Sequence, residues 1–193
     1  MTDTQTRAFY DAEAAAYAAS SRPSPYLGDF IDELPPSATV LDLGCGAGFD
    51  SAALRERGFA VVSVDASVGL AAEAKRLHDI DVRVLDFEQL DYTAAFDGIW
   101  ASASLHHAEV AALPLIFTRL RSAVKPTGIL HASLKGGADR RDRFGRFYCA
   151  MDETNLRALA SGWDDVRIES HLGAGYDDEP TPWLRLKARS PLQ

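Results

Sequence analysis

In VLDLGCGAGFD, Val40 to Asp50, an apolar run from Thr39 to Leu43 is broken by glycines at every second position, Gly44, Gly46 and Gly48, and a helical pattern follows at once. The order implied is strand, tight glycine turn, helix. A chain reversing sharply at the end of a parallel strand uses positive φ, and a residue without a Cβ lets a ligand lie against the backbone. The amides that open the next helix then face the crevice, which makes the turn a nucleotide site. The dinucleotide fingerprint G-x-G-x-x-G needs a glycine at position 49 or 51, and Phe49 and Ser51 stand there. Asp42, two positions before the first glycine, is aimed at the same crevice, where it repels a pyrophosphate and favours a cationic ligand.

With 193 residues, 47% hydrophobic and 25% charged, the chain is expected to form one domain, 1–193, with a sizeable core. The formal net charge of -8 opposes sequence-independent binding to a phosphate backbone, so nucleic acid is not an expected partner. No apolar run approaches the roughly 20 residues that span a bilayer, and the N-terminus lacks a basic start before an apolar stretch. A cytoplasmic protein with no membrane contact is expected, as a monomer or a homodimer. Cys45 and Cys149 alone indicate neither a disulfide framework nor a metal site.

Outward from the turn, residues 5 to 20 are alanine-rich and read as a helix, then a Pro-rich segment carries a short amphipathic turn from Tyr26 to Leu34. Ser51 to Arg57 reads as a helix ended by Gly58, and Ala60 to Val64 as a strand ending in Asp65. An acid there can accept hydrogen bonds from ribose hydroxyls; alternatively it caps the helix Ser67 to His78, for which Ser67 is an equal candidate. VRVLDF supplies a third strand ending at Asp86 and Phe87, and FDGIWASAS a fourth that runs into SLHHAE. Ligands of open α/β sheets sit where the strand order reverses, here between the first and fourth strands, so Ser102 to His107, Leu105 included, faces the ligand. A helix from Ala108 to Val124, stopped by Pro126-Thr127-Gly128, a fifth strand GILHASLK, a helix over Leu156 to Ala160 and two late antiparallel strands, Val166 to Glu169 and Trp183 to Ala188, complete seven strands.

The D-L-G-C-G-A-G turn resembles motif I of the class I S-adenosylmethionine-dependent methyltransferases. Together with YDAEAAAYAAS, VDAS, FDGIWASASLHH, SLKGG, GRFY and PWLRLKARS, it is similar to the short bacterial methyltransferases of the type 11/12 group, near the tellurite-resistance-like branch. The resemblance covers nearly the whole chain. It implies an α/β, Rossmann-like fold: a seven-stranded, mostly parallel sheet with one antiparallel edge strand, flanked by helices. Residues 1–36 would form a helical lid and 37–193 the core. The implied cofactor is S-adenosylmethionine, leaving S-adenosylhomocysteine, and the implied partner a small-molecule acceptor. Carried over, Gly44, Cys45 and Gly46 line the methionine and ribose side, Asp65 and Ala66 the ribose, Asp86 and Phe87 the adenine, and Ser102 the methionine end, with Tyr10 and Tyr17 folded over the top. Family members often carry a single His after the Ser-Leu segment, whereas this chain has His106 and His107.

Methyl transfer is an in-line displacement, so much of its catalysis is positioning. Tyr10 or Tyr17 can hold a cation through its ring and exclude water; packing on the sheet is the plain alternative. His106 or His107 can take a proton from a hydroxyl acceptor, while a thiolate or metalloid needs no such base. Direct parts in transfer therefore fall to His106, His107 and Tyr17. The loop LKGGADRRDRFGRFY carries a net charge of +3, and Lys135, Arg146 and Tyr148 are its candidates for recognising an anionic acceptor; a solvated loop is the alternative. A nicotinamide oxidoreductase is disfavoured by the missing glycine and by Asp42, and a S-adenosylmethionine-binding sensor or partner subunit without transfer is the other reading.

Overall fold

The computed structural model describes residues 3–176 and 178–192, so the first two residues of the expected lid lie outside the described residues. The strands are β1 (Thr39–Leu43), β2 (Ala60–Asp65), β3 (Val82–Val84), β4 (Phe96–Ser102), β5 (Val124–Lys135), β6 (Arg140–Arg141), β7 (Phe147–Tyr148), β8 (Asp164–Gly173) and β9 (Thr181–Arg189). The helices are α1 (Thr4–Ala12), α2 (Ala14–Ser20), α3 (Leu27–Ile31), α4 (Phe49–Glu56), α5 (Val68–His78), α6 (Leu113–Ala123) and α7 (Glu153–Leu159). Seven strands form one sheet in the order β3-β2-β1-β4-β5-β9-β8, and β6 pairs with β7 in a separate hairpin. β1 to β5 are mutually parallel, and β9 runs against both β5 and β8. The antiparallel strand thus lies one place in from the edge, with β8 outside it.

β1 joins β2 on one side and β4 on the other, so the chain reverses its winding at the carboxyl end of β1 and opens a crevice there. The larger core fills one sheet face. On α6, Leu113, Ile116, Phe117 and Leu120 recur at helical spacing and are all buried, each contributing about 1.5–3 kcal/mol by leaving water. On the opposite face a smaller core of Leu27, Phe30, Val40, Leu54 and Trp100 forms under α3. Gly98 makes that docking possible, since a Cβ there would meet Phe30 Cζ at 2.7 Å.

Three elements differ from the sequence expectation. The alanine-rich helix breaks at Glu13, whose N–H closes on Phe9 O, so that α2 can bury Ala14 and Ala18 against Leu70 while α1 turns to another neighbour. Pro126-Thr127-Gly128 does not stop the preceding helix: α6 ends at Ala123 and β5 begins directly, with a register shift opposite Phe96 and Gly98. The basic loop, finally, contains the β6–β7 hairpin, which no alternating pattern announced.

Candidate functional site

The crevice at the end of β1 is a cavity of about 280 Å³ whose floor is the glycine turn. Gly44 adopts φ +75, and a Cβ on it would come within 2.3 Å of Ser104 Cβ. Gly46 adopts φ +55 and meets nothing within 4 Å, leaving open space where a side chain would stand. The N–H of Gly46 and that of Ser67 each donate to one oxygen of Asp65, at 2.8 Å and 2.8 Å. Ser67, and not Asp65, caps α5 by accepting the Leu70 N–H, so the Asp65 carboxylate stays at the cavity wall. Burial raises its pKa and those backbone donors oppose the rise.

Asp42 and Asp50 line the same wall. Asp42 is 2% exposed and accepts the Ser51 O–H at 2.6 Å. Burial first, then the neighbouring Asp50, pushes its carboxyl up to about 8, so the simple picture of a permanently charged carboxylate needs correction: at neutral pH it carries a proton until a cation arrives. Asp50 accepts the Ser24 N–H at 2.6 Å and the Trp100 Nε1–H at 2.7 Å.

Gly44, Cys45, Gly46, Ala66, Phe87, Ser102, Tyr10, Tyr17 and His107 also line the cavity. The Cys45 thiol is held far above its ordinary pKa by burial. Asp86 does not line it. Its backbone N–H bonds Gln89 in a capping box at the turn Phe87–Gln89, and its carboxylate lies 3.8 Å from Arg7, where the sequence reading expected it to take an adenine amine. Leu105 is fully buried in the main core, because the 3-10 turn Leu105–His107 points it inward, so it too leaves the proposed wall.

The two histidines part company in the same turn. His106 is 2% exposed, takes the Lys135 N–H on Nδ1 at 3.0 Å and packs against Tyr148 and Trp183 behind the cavity. Its expected role as a base is therefore corrected to one of packing. His107 faces the cavity with Nδ1 2.7 Å from Phe147 O and Nε2 3.0 Å from the Tyr10 hydroxyl. A carbonyl only accepts, so Nδ1 carries the proton and Nε2 is left to accept the Tyr10 O–H. Burial lowers the His107 pKa to about 4 and raises that of Tyr10 well above the ordinary phenol, so at neutral pH the ring is uncharged and the phenol protonated. Tyr17 packs edge-on against Tyr10 at 5.0 Å.

Lys135, Arg146 and Tyr148 do not line the cavity and do not form a solvated loop; they are 3%, 1% and 3% exposed. The Lys135 ammonium lies 4.3 Å over the Tyr148 ring. Arg146 pairs with Asp142 Oδ2 at 2.6 Å, donates to the Tyr10 oxygen at 3.1 Å and is surrounded by the rings of Phe9, Tyr10, Phe144, Tyr148 and Tyr176. The guanidinium holds the hairpin to α1 where a direct hold on an acceptor was expected. α1 is held there twice more: Arg141 grips Asp3 with two hydrogen bonds of 2.9 and 2.8 Å, and Thr6 Oγ1 accepts the Phe147 N–H at 2.8 Å. At its other end Asp11 accepts the Ser67 O–H at 2.6 Å and the Gly69 N–H at 3.1 Å, over the start of α5.

Sequence reasoning missed Asp50, Arg7 and Arg22 on the wall, whereas Ala103 and Ser104 line it within the Ser102 to His107 segment expected to face the ligand. Ala103 adopts φ +52, a left-handed residue just after β4.

A family model described as a methyltransferase domain matches residues 40–128. The chain is 36% identical over 158 residues to 2-methyl-6-phytyl-1,4-hydroquinone methyltransferase of Synechocystis, covering 78% of this chain and 48% of that protein. It is 46% identical over 67 residues to cypemycin N-terminal methyltransferase of Streptomyces, covering 33% and 27%. The chain spans less than half the length of the curated relatives it matches. Its fold matches Burkholderia thailandensis 1,6-didemethyltoxoflavin-N1-methyltransferase, solved with 1,6-didemethyltoxoflavin and S-adenosylhomocysteine, at a TM-score of 0.76 and 22% identity over 97% of this chain and 88% of that one. Among the described residues no helix is long and apolar enough to cross a membrane.

Proposed function

We propose that this chain is a class I S-adenosylmethionine-dependent methyltransferase whose acceptor is a small molecule that gives up an O–H or N–H proton. The observation that carries the reading is the meeting, around one cavity, of the glycine turn, the Asp65 carboxylate, the Phe87 ring and a Tyr10–His107 pair of fixed tautomer. The residues fit the cofactor. Open space over Gly46 admits a ligand against the backbone, Asp65 keeps acceptor capacity for ribose hydroxyls, and Phe87 offers an apolar wall for a purine. Asp42 and Asp50 suit the cationic end.

Bound there, S-adenosylmethionine supplies a methyl group on a positively charged sulfur, open to in-line displacement. Tyr10 and Tyr17 exclude water and offer ring faces to that charge, each worth about 0.5–2 kcal/mol. Tyr10 oxygen receives the acceptor's proton as its own moves to His107 Nε2, while Nδ1–H stays on Phe147 O. The imidazolium charge replaces the positive charge lost from the cavity on transfer, so the site's net charge is unchanged across the step. Aromatic lining suits a planar ring acceptor, the kind named for the Synechocystis and Burkholderia proteins.

Calorimetric titration with S-adenosylmethionine, S-adenosylhomocysteine and NAD tests the donor half, and binding of NAD with none of the sulfur nucleosides overturns it. His107→Gln and Tyr10→Phe should each lower kcat about 10²- to 10⁴-fold on phenol or ring N–H acceptors. A rate indifferent to His107 would point instead to a thiol or metalloid acceptor, the chemistry suggested by the tellurite-resistance-like resemblance.

A further inference from the structure

We infer that Arg146 is a positioning residue for the proton step, acting on the Tyr10 oxygen from within the β6–β7 hairpin, an inference that rests on the Tyr10–His107 reading of the site. The turn Asp142-Arg143-Phe144-Gly145-Arg146 sets one charge against the other. Aspartate is a residue type that bonds its own turn: Asp142 Oδ1 accepts the Phe144 N–H at 2.9 Å and the Arg146 N–H at 3.0 Å, while Gly145 takes a left-handed φ of +81. Its other oxygen is left to the guanidinium. Arg146 Nε donates to Oδ2 at 2.8 Å, and Nη2 lies 2.6 Å from the same oxygen. A guanidinium is planar and rigid, so with that edge turned to Asp142 the Nη1 corner points away, to the Tyr10 oxygen 3.1 Å off.

The linked hydrogen bonds then share one direction. Arg146 only donates, so the Tyr10 oxygen accepts from it and the phenol proton is directed to His107 Nε2, 3.0 Å away. The next residue, Phe147, takes His107 Nδ1–H on its carbonyl at 2.7 Å. Two adjacent residues of one hairpin thus grip the pair from opposite ends. As the acceptor's proton reaches Tyr10 and the phenol proton leaves for His107, the oxygen between them gains negative charge, and the Nη1 bond becomes ionic on both sides. A contact stronger midway than at the start speeds the step. The same charge disfavours the imidazolium, though across the phenol and not in contact with it, so the nearer oxygen gains more. Arg146 keeps its own protons throughout, and at 1% exposure among aromatic rings it is shielded from water that would weaken the bond.

The test is nitrogen NMR of His107, assigned as the imidazole signal missing from His107→Gln. A ring nitrogen that accepts a hydrogen bond resonates upfield of a free one, so the Nε2 signal reports the Tyr10 bond without turnover. Tyr10→Phe should move it to the free position. So should Arg146→Lys, which keeps a cation for Asp142 but not the fork, and the paired change Asp142→Asn with Arg146→Met. Arg141→Ala, which releases another tie of the hairpin to α1 at Asp3, should leave it in place. Turnover of catechol should fall on the order of 10- to 100-fold in Arg146→Lys, and adding Arg146→Lys to Tyr10→Phe should slow it no further than Tyr10→Phe alone. A signal that Tyr10→Phe moves and neither Arg146 variant does, or rate losses that add, overturns the role of Arg146 while the Tyr10–His107 reading stands. A signal moved as far by Arg141→Ala reduces Arg146 to a general clamp and overturns it too. A signal unmoved by Tyr10→Phe overturns the pair and this inference with it.

Discussion

Binding of S-adenosylhomocysteine at pH 7 should release a proton through Asp42, and Asp42→Asn should remove that release. Burial and the adjacent Asp50 hold the Asp42 carboxyl up to about 8. Most of the molecules therefore carry this proton at pH 7. A ligand ammonium brought to the acidic end favours the ionised form, so the proton leaves as the ligand enters. Affinity should then rise by up to about tenfold per pH unit below pH 8, equivalent to about 1.4 kcal/mol, and level off above it. Calorimetry at pH 7 in two buffers of widely different ionisation heat counts the protons directly. Equal heats in both buffers, with affinity flat from pH 6 to 8, would refute the reasoning. The same group shapes stability in the free protein. Its folded pKa lies above its ordinary value of 3.8, so the native state keeps a proton that the unfolded chain has lost. Its contribution is present below about pH 4 and is lost as pH rises towards 8, and thermal melts of Asp42→Asn should show a shallower decline over that window.

Two further outcomes follow from the clamp on α1. Arg146→Met leaves the Asp142 carboxylate buried without its cation and should cost about 3–5 kcal/mol, whereas Asp142→Asn with Arg146→Met should cost less than Arg146→Met alone; denaturant midpoints decide, and additive losses would show that the pair is not coupled. Gly69→Ala puts a Cβ 2.7 Å from Asp11 O, so α1 and α2 should be cleaved faster in limited proteolysis while the sheet resists as before; wild-type cleavage rates would mean that α5 yields and the contact does not govern docking.

The parts of the fold read correctly from sequence are those set by local pattern. A glycine turn, β-branched runs and capping residues act within a few positions, and they located β1, α4, β2 and the acid that ends it. Position on a sheet then followed from winding rules. Burial of charge was illegible because it depends on distant partners. Arg146 reads as a surface cation until Asp142, two rings of α1 and Tyr176 are brought around it. His106 and His107 are neighbours in one turn, and the approach of β7 to one and of β5, β7 and β9 to the other gives one a cavity wall and the other a packing role. Asp50 closes the glycine-turn stretch but its role was not legible there, since both its partners come from other elements.

The Thr6–Phe147 contact has a further consequence. Phe147 offers its N–H to Thr6 of α1 and its carbonyl to His107, while His107 receives its second bond from Tyr10, also of α1. One backbone unit thus reports the position of the helix to the ring that takes the proton. Displacing α1 would break the Tyr10 and Thr6 bonds together, so the ring and the backbone unit that fixes its tautomer share one latch: a perturbation of either reaches the other through the same peptide.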